Sequence, residues 1–82
     1  MAHVVCATQE ARAFTQGLEG FDVQARDVRA MIAELERRFP GLGAHVERRM
    51  AIAIDGEIHQ DALGAPLAAD SEVVLIPRIA GG

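Results

Sequence analysis

The first quarter of the chain contains two short stretches whose pattern predicts β-strands. Residues 3–7 are apolar and β-prone, and residues 21–25 alternate apolar with polar side chains, as a strand with one buried face does. Between them, residues 9–14 predict a helical turn, and Gly17 and Gly20 mark turns. We therefore expect the two strands to form a hairpin with a long loop.

The clearest element that the pattern predicts is a helix. Asp27 can cap its N-terminus, because a carboxylate there accepts hydrogen bonds from backbone N–H groups one turn later. Apolar residues then recur at helical spacing and form one stripe: Val28, Met31, Ile32, Leu35 and Phe39. Pro40-Gly41 ends the helix, since proline disfavours helical geometry in the residue before it. Val28, Met31, Ile32 and Leu35 are expected among the most buried residues.

The second half of the chain predicts three further strands. Residues 51–54 and 57–59 flank Asp55-Gly56, a dipeptide that favours a two-residue hairpin turn. Residues 72–76 form the most apolar strand, and a strand this apolar belongs in the middle of a sheet. Within it, Val73 and Leu75 are expected to be buried against the helix.

Two connections complete the predicted organisation. Residues 42–50 are expected to be a connector, with Glu47-Arg48-Arg49 on the solvated surface. Residues 60–69 are expected to be a loop that Leu67 closes by packing inward.

The order β, β, α, β, short β, β predicts an α+β fold. Placing the last strand beside the first, with one main helix across one face of a mixed sheet, gives the β-grasp (ubiquitin-like) arrangement. Residues 1–77 are expected to form this domain, and residues 78–82 a flexible C-terminal tail ending in Gly-Gly.

Composition excludes several classes of function. The net charge of −4 argues against nucleic-acid binding, because such proteins use basic residues to meet phosphates. The same charge argues against an anionic membrane surface, and the sequence predicts neither a membrane span nor a signal peptide. The single cysteine, Cys6, allows no internal disulfide, so we expect a cytoplasmic protein.

Candidates for catalysis or metal binding within the chain are weak. His3, His45 and His59 are far apart in sequence and lack the spacing of metal ligands. Cys6 lies in an apolar strand and is expected to be an inert, buried thiol. We therefore expect no catalytic residue, no metal and no bound cofactor in the chain itself.

The C-terminal residues differ in character from the rest of the chain. Pro77 cannot donate a ladder hydrogen bond and is expected to end strand pairing. The tail that follows ends in Gly81-Gly82, and glycine lets another surface approach the backbone closely. Such a tail suits insertion into the active site of another protein, and ordinary fraying of a terminus is the alternative.

Nearly the whole chain, and most clearly its second half, resembles the sulfur-carrier proteins of the ThiS/MoaD type. AIAIDGEIH (residues 51–59) is similar to the family's strand, Asn/Asp-Gly turn and strand. PLAADSEVVLIPRIAGG (residues 66–82) is similar to its Pro-Leu, acidic turn, apolar strand, Pro and terminal Gly-Gly. Ala69 or Ser71 replaces a glycine usual in the acidic turn, and Arg78 replaces a second proline common in small subunits of molybdopterin synthase, the most similar members.

The resemblance implies a reaction at Gly82. In such carriers the terminal carboxylate is adenylated and then converted to a thiocarboxylate, so Gly82 would be the modified residue. Gly81 would allow close approach, and Arg78, Ile79 and Ala80 would complete the tail. A ubiquitin-activating-like adenylyltransferase would supply the ATP and magnesium.

The resemblance also implies partner proteins. Positions matching Ile58, Val74 and Ile76 contribute to an apolar partner-binding patch in such carriers, although the protein's own loops could cover them instead. A sulfur donor and a sulfur-accepting biosynthetic enzyme are expected, for example the large subunit of molybdopterin synthase. Cysteine or another sulfur-containing metabolite could be the product instead of molybdopterin. The alternative functions are a ubiquitin-like binding module and a protein modifier.

Overall fold

In the computed structural model, residues 1–59 and 63–78 are described, and they form a five-stranded sheet and three helices. The strands are β1 (Ala2–Cys6), β2 (Gly20–Val23), β3 (Met50–Ile54), β4 (Glu57–His59) and β5 (Glu72–Pro77). The helices are α1 (Gln9–Phe14), α2 (Val28–Arg38) and α3 (Leu42–Arg49).

The sheet is mixed and has the order β2-β1-β5-β3-β4. β5 is parallel to β1, whereas the pairs β1–β2, β3–β5 and β3–β4 are antiparallel. The most apolar strand therefore lies at the centre, as its composition predicts. This arrangement, with the helices packed on one face, confirms the β-grasp fold.

Helix α2 begins and ends where the sequence predicts. The Asp27 carboxylate accepts a hydrogen bond of 2.8 Å from the backbone N–H of Ala30, which satisfies one of the helix's unpaired donors. Met31 and Leu35 are fully buried, as predicted. The prediction for Ile32 is wrong, because it lies at the edge of the stripe and is only half-buried. The helix is therefore held mainly by its apolar face.

Every second residue of the central strands points toward the helices. Val73 and Leu75 of β5 have no exposed surface, and Val4 of β1 has none either. The remainder of the aliphatic core comes from these buried residues: Ala2, Cys6, Ala11, Phe21, Val23, Val28, Leu42, Val46, Met50, Ile52 and Leu67. Within residues 1–59 and 63–78, no helix covers the opposite face of the sheet.

The prediction of a connector at residues 42–50 is wrong, because this stretch forms helix α3. Leu42 and Val46, one turn apart, are buried against the core. Glu47, Arg48 and Arg49 are exposed, as predicted. The sequence did not reveal α3 because Pro40-Gly41 resembles a stop signal and because its N-cap, Gly41, is not Ser, Thr, Asp or Asn.

The N-terminus of α3 is capped from the preceding helix instead. The Glu36 carboxylate of α2 accepts hydrogen bonds from the backbone N–H groups of Gly41 (2.8 Å) and Ala44 (3.1 Å). These hydrogen bonds, that from Gly41 foremost, hold the pKa of the Glu36 carboxyl below its usual value. Gly43 makes the close approach possible, since a Cβ there would lie 2.7 Å from the Ile32 carbonyl oxygen.

The β3–β4 hairpin and the described part of the loop before β5 agree with the predictions from the sequence. Asp55 and Gly56 both have positive φ angles, 49° and 88°, as a type I′ turn requires. Leu67 packs inward, and its N–H donates to the Arg26 carbonyl. Residues 60–62 of the predicted loop lie outside the described residues.

The outer edge of β2 is partly covered by Arg38. Its Nη1 donates a hydrogen bond of 2.7 Å to the Asp22 carbonyl oxygen. The guanidinium carbon lies 5.0 Å from the centroid of the Phe21 ring and 5.5 Å from that of Phe39. Arg38 therefore occupies one main-chain acceptor of this edge strand and packs on two aromatic rings.

Candidate functional site

The face of the sheet opposite the helices carries the three predicted partner-binding residues. Val74 and Ile76 alternate with the buried Val73 and Leu75 along β5 and are half-buried. Ile58 of β4 is 57% exposed, an unusual exposure for a large aliphatic side chain. The structure thus brings all three to one side of the sheet, and their role in binding stays a prediction.

The strand register shows how these residues are arranged. Ala53 of β3 pairs with Ile58 on one side and with Val74 on the other, and Val74 pairs in turn with Val5 of β1. In a second row, Ile76 pairs with Ala51. We call these six residues the apolar sheet face: Val5, Ala51, Ala53, Ile58, Val74 and Ile76.

Sequence reasoning missed three members of the apolar sheet face: Val5, Ala51 and Ala53. Their alternation with core residues of β1 and β3 was a usable signal, but only the sheet order shows that β1 and β3 flank β5. The two alanines are short, and Ala51 is only 1% exposed, so the centre of the face is lower than Ile58 at its border.

Charged residues border the apolar sheet face on the β1–β2 side. His3 Nδ1 lies 2.9 Å from an Asp22 carboxylate oxygen, and both side chains are largely exposed. Glu72 of β5 pairs in register with His3, so its carboxylate is on the same side of the sheet. This part of the border is polar and carries two acidic groups.

The opposite end of β5 leads to the C-terminal tail. There the structure contradicts the prediction that Pro77 ends strand pairing. Pro77 does not end the pairing, since it lies opposite Met50 and the N–H of Arg78 still donates to the Arg49 carbonyl (3.3 Å). Backbone N–H groups alternate sides along a strand. Pro77's missing donor therefore faces the β1 side, where β1 has already ended at Cys6.

The prediction that Arg78 is the exposed first residue of a flexible tail is therefore wrong. Arg78 is half-buried, and its Nη2 lies 3.3 Å from the Glu47 carbonyl oxygen and 3.5 Å from that of Met50. Ile79, Ala80, Gly81 and Gly82 lie outside the described residues, so their predicted mobility stays a prediction.

The other titratable residues in the described part of the chain do not group into a site. The His45 ring packs against that of Phe14 at a tilt of 37°, with centroids 5.1 Å apart, and its Nε2 lies 3.3 Å from a Glu10 carboxylate oxygen. Burial raises the pKa of the Cys6 thiol, which disfavours the reactive thiolate. Within residues 1–59 and 63–78, no three His, Cys, Asp or Glu side chains are grouped as a metal site would require.

The same described ranges contain no helix long and apolar enough to cross a membrane.

The fold defines the class as a ubiquitin-like β-grasp protein, and solved structures agree. CysO in its complex with BexX from Amycolatopsis orientalis has a TM-score of 0.84 at 20% identity, with 100% of both chains covered. Small archaeal modifier protein 1 from Methanosarcina acetivorans has a TM-score of 0.77 at 18% identity, covering 99% of this chain and 95% of that one.

A third structure, the complex of subunits 1 and 2 of molybdopterin-converting factor from Helicobacter pylori, has a TM-score of 0.68 at 25% identity, covering 99% of this chain and 97% of that one. Among curated proteins, none matches significantly by sequence. The model of the ThiS family matches residues 8–82. The chain therefore belongs to the ThiS family.

Proposed function

We propose that the protein is a sulfur carrier whose Gly82 carboxylate is converted to a thiocarboxylate by partner enzymes. The observation that carries the proposal is the ThiS family match, which runs from residue 8 through Gly82 and so includes the Gly-Gly tail. The apolar sheet face beside the strand that leads to this tail supports it, because a carrier needs a docking surface near its reactive end.

The chemistry explains why partners are needed. A free carboxylate is a poor electrophile, since oxide would have to leave. Attack of the Gly82 carboxylate on the α-phosphate of ATP forms an acyl-adenylate and releases pyrophosphate. A sulfide-level donor then attacks the acyl carbon, AMP leaves with the bonding electrons, and a thiocarboxylate remains. A ubiquitin-activating-like adenylyltransferase would hold the ATP and magnesium, and the carrier would act as its co-substrate.

The sulfur-accepting enzyme is proposed from the comparisons. Two of the similar structures are complexes with a partner protein, BexX in one and subunit 2 of molybdopterin-converting factor in the other. Identity is 25% with the molybdopterin-converting factor complex and 20% with the BexX complex. We therefore propose molybdopterin synthesis as the first pathway to test, with cysteine or another sulfur metabolite as the alternative.

The test is the intact mass of the protein after incubation with an adenylyltransferase, ATP, magnesium and a sulfide donor. Replacement of one oxygen by sulfur should add about 16 Da, and only when ATP is present. An unchanged mass, with an enzyme that modifies its own carrier normally, would reject the proposal and favour a ubiquitin-like binding module.

A protein modifier is the second candidate. The similar structure of small archaeal modifier protein 1 favours it, because that protein is named for modification and shares the fold. A modifier would use the same activated carboxylate but would transfer the whole chain to an amine. A covalent adduct heavier by the mass of an acceptor protein, instead of the sulfur gain, would support this candidate.

The docking role of the apolar sheet face can be tested with Ile76→Asp. Binding should bury Ile76, so a carboxylate there should weaken affinity for the adenylyltransferase or the acceptor enzyme by about ten- to a hundredfold. Because Ile76 points away from the core, the fold should persist. Binding is measured by calorimetry and folding by circular dichroism.

Ala33→Asp is the matched control for this substitution. Ala33 is exposed on α2, so the variant introduces the same charge away from the apolar sheet face. Its affinity should stay within about twofold of the unmodified protein. Equal loss of affinity in both variants, or no loss in Ile76→Asp, would reject this docking surface.

A further inference from the structure

Arg78, the last described residue of the chain, forms hydrogen bonds to the end of helix α3. The backbone N–H of Arg78 donates to the Arg49 carbonyl at 3.3 Å. Its guanidinium Nη2 donates to the carbonyl of Glu47 at 3.3 Å and approaches that of Met50 at 3.5 Å. One residue thus contacts three main-chain carbonyl groups around the junction of α3 and β3.

These contacts satisfy a requirement of the helix end. The last carbonyl groups of an α-helix have no intrahelical partner, and the negative end of the helix dipole attracts a cation. Glu47 supplies such a carbonyl, since α3 ends at Arg49. The planar guanidinium has several donors in a fixed arrangement, so it can serve two carbonyls that a lysine ammonium would serve less well.

The surroundings of the Arg78 side chain include apolar residues. The side chain lines a cleft together with Val46 of α3 and Met50 and Ile52 of β3. Hydrogen bonds at both its backbone N–H and its guanidinium restrict the orientation of this residue. The direction in which the chain passes residue 78 is therefore defined by the folded domain.

We propose that Arg78 is a positioning residue for the reactive tail. Arg78 lies one residue beyond β5 and is held by the end of α3, and we call it the anchor. The four residues Ile79 to Gly82 follow it in the sequence. Four residues span at most about 13–14 Å when extended. The anchor therefore fixes both the starting point and the greatest reach of the Gly82 carboxylate. This inference rests on the proposed function for its enzymatic consequence.

The expected effect of losing the anchor is on tail entry. In Arg78→Ala, residue 78 and the tail direction are no longer fixed before binding, and ordering one further residue on the enzyme raises the KM for the carrier. We expect a rise of about five- to thirtyfold in the ATP–pyrophosphate exchange assay, with kcat within about twofold. The free protein should show larger ps–ns motion of the residue 78 amide by ¹⁵N relaxation.

Arg48→Ala is the matched control. Arg48 is exposed in the same last turn of α3, so this variant removes the same charge nearby without removing the anchor. Its KM and its residue 78 relaxation should match those of the unmodified protein. A similar rise in KM for both variants would show that only charge matters, and would overturn the proposal.

A failure of the proposed role of Arg78 can be distinguished from a failure of the proposed sulfur-carrier function. Unchanged KM or unchanged residue 78 relaxation in Arg78→Ala rejects the anchor while leaving sulfur transfer intact. Failure of the unmodified protein to gain sulfur rejects the carrier function, and with it the role of Arg78 in catalysis by a partner.

Discussion

Deleting Gly82 should abolish formation of the thiocarboxylate. The deletion moves the terminal carboxylate back by one residue, about 3.5 Å, and a misplacement of even 1 Å in an active site can cost about a hundredfold in rate. Gly81→Val should have an equally large effect, because a β-branched side chain blocks close approach of another surface to the backbone. Both are measured as the initial rate of the ATP-dependent mass gain.

Stability should be nearly unchanged in these two variants, by less than about 0.5 kcal/mol, as for surface substitutions generally. Gly64→Val is the matched control, since a Cβ at Gly64 has no heavy atom within 4 Å. It should be modified at the normal rate. Normal modification of the Gly82 deletion or of Gly81→Val would mean that the tail glycines are not the reactive end.

Leu35→Ala should cost about 2–5 kcal/mol of unfolding free energy, because it removes a fully buried side chain and leaves a cavity between α2 and the sheet. The total stability expected for a domain of this length is only about 4–12 kcal/mol. Much of the population could therefore be unfolded at moderate temperature. Urea denaturation gives the effect as a lower midpoint at constant slope.

Leu18→Ala makes the same chemical change at a residue that is 48% exposed. It should alter the unfolding free energy by less than about 0.5 kcal/mol. Equal stability of the two variants would contradict the burial of Leu35 between α2 and the sheet.

The elements that local signals define were predictable from the sequence. Asp27 caps α2 as expected, Asp55-Gly56 forms the expected turn, and β5 lies at the centre of the sheet. The sequence did not reveal α3 because its N-terminal cap is Glu36, a side chain from another helix. A cap supplied from elsewhere in the fold has no fixed spacing that a sequence pattern can detect.

The candidate site was only partly predictable, because some of its contacts join residues that are far apart in the sequence. Alternation along β5 correctly placed Val74 and Ile76 opposite the core. The anchoring of Arg78 was missed because its partners, the carbonyls of Glu47, Arg49 and Met50, are about 30 residues away in sequence. Only the pairing of β5 with β3 brings the end of α3 beside residue 78.

The Arg38 cover on β2 has a consequence for self-association. An open sheet can recruit other chains either through its apolar face or through the unpaired main-chain groups of its edge strands. At one edge Arg38 occupies the Asp22 carbonyl, and at the other β4 is only three residues long. Pairing of a strand from another molecule is therefore disfavoured at both edge strands, β2 and β4. The apolar face can then stay open to a folded partner without the molecule becoming a template for fibrils.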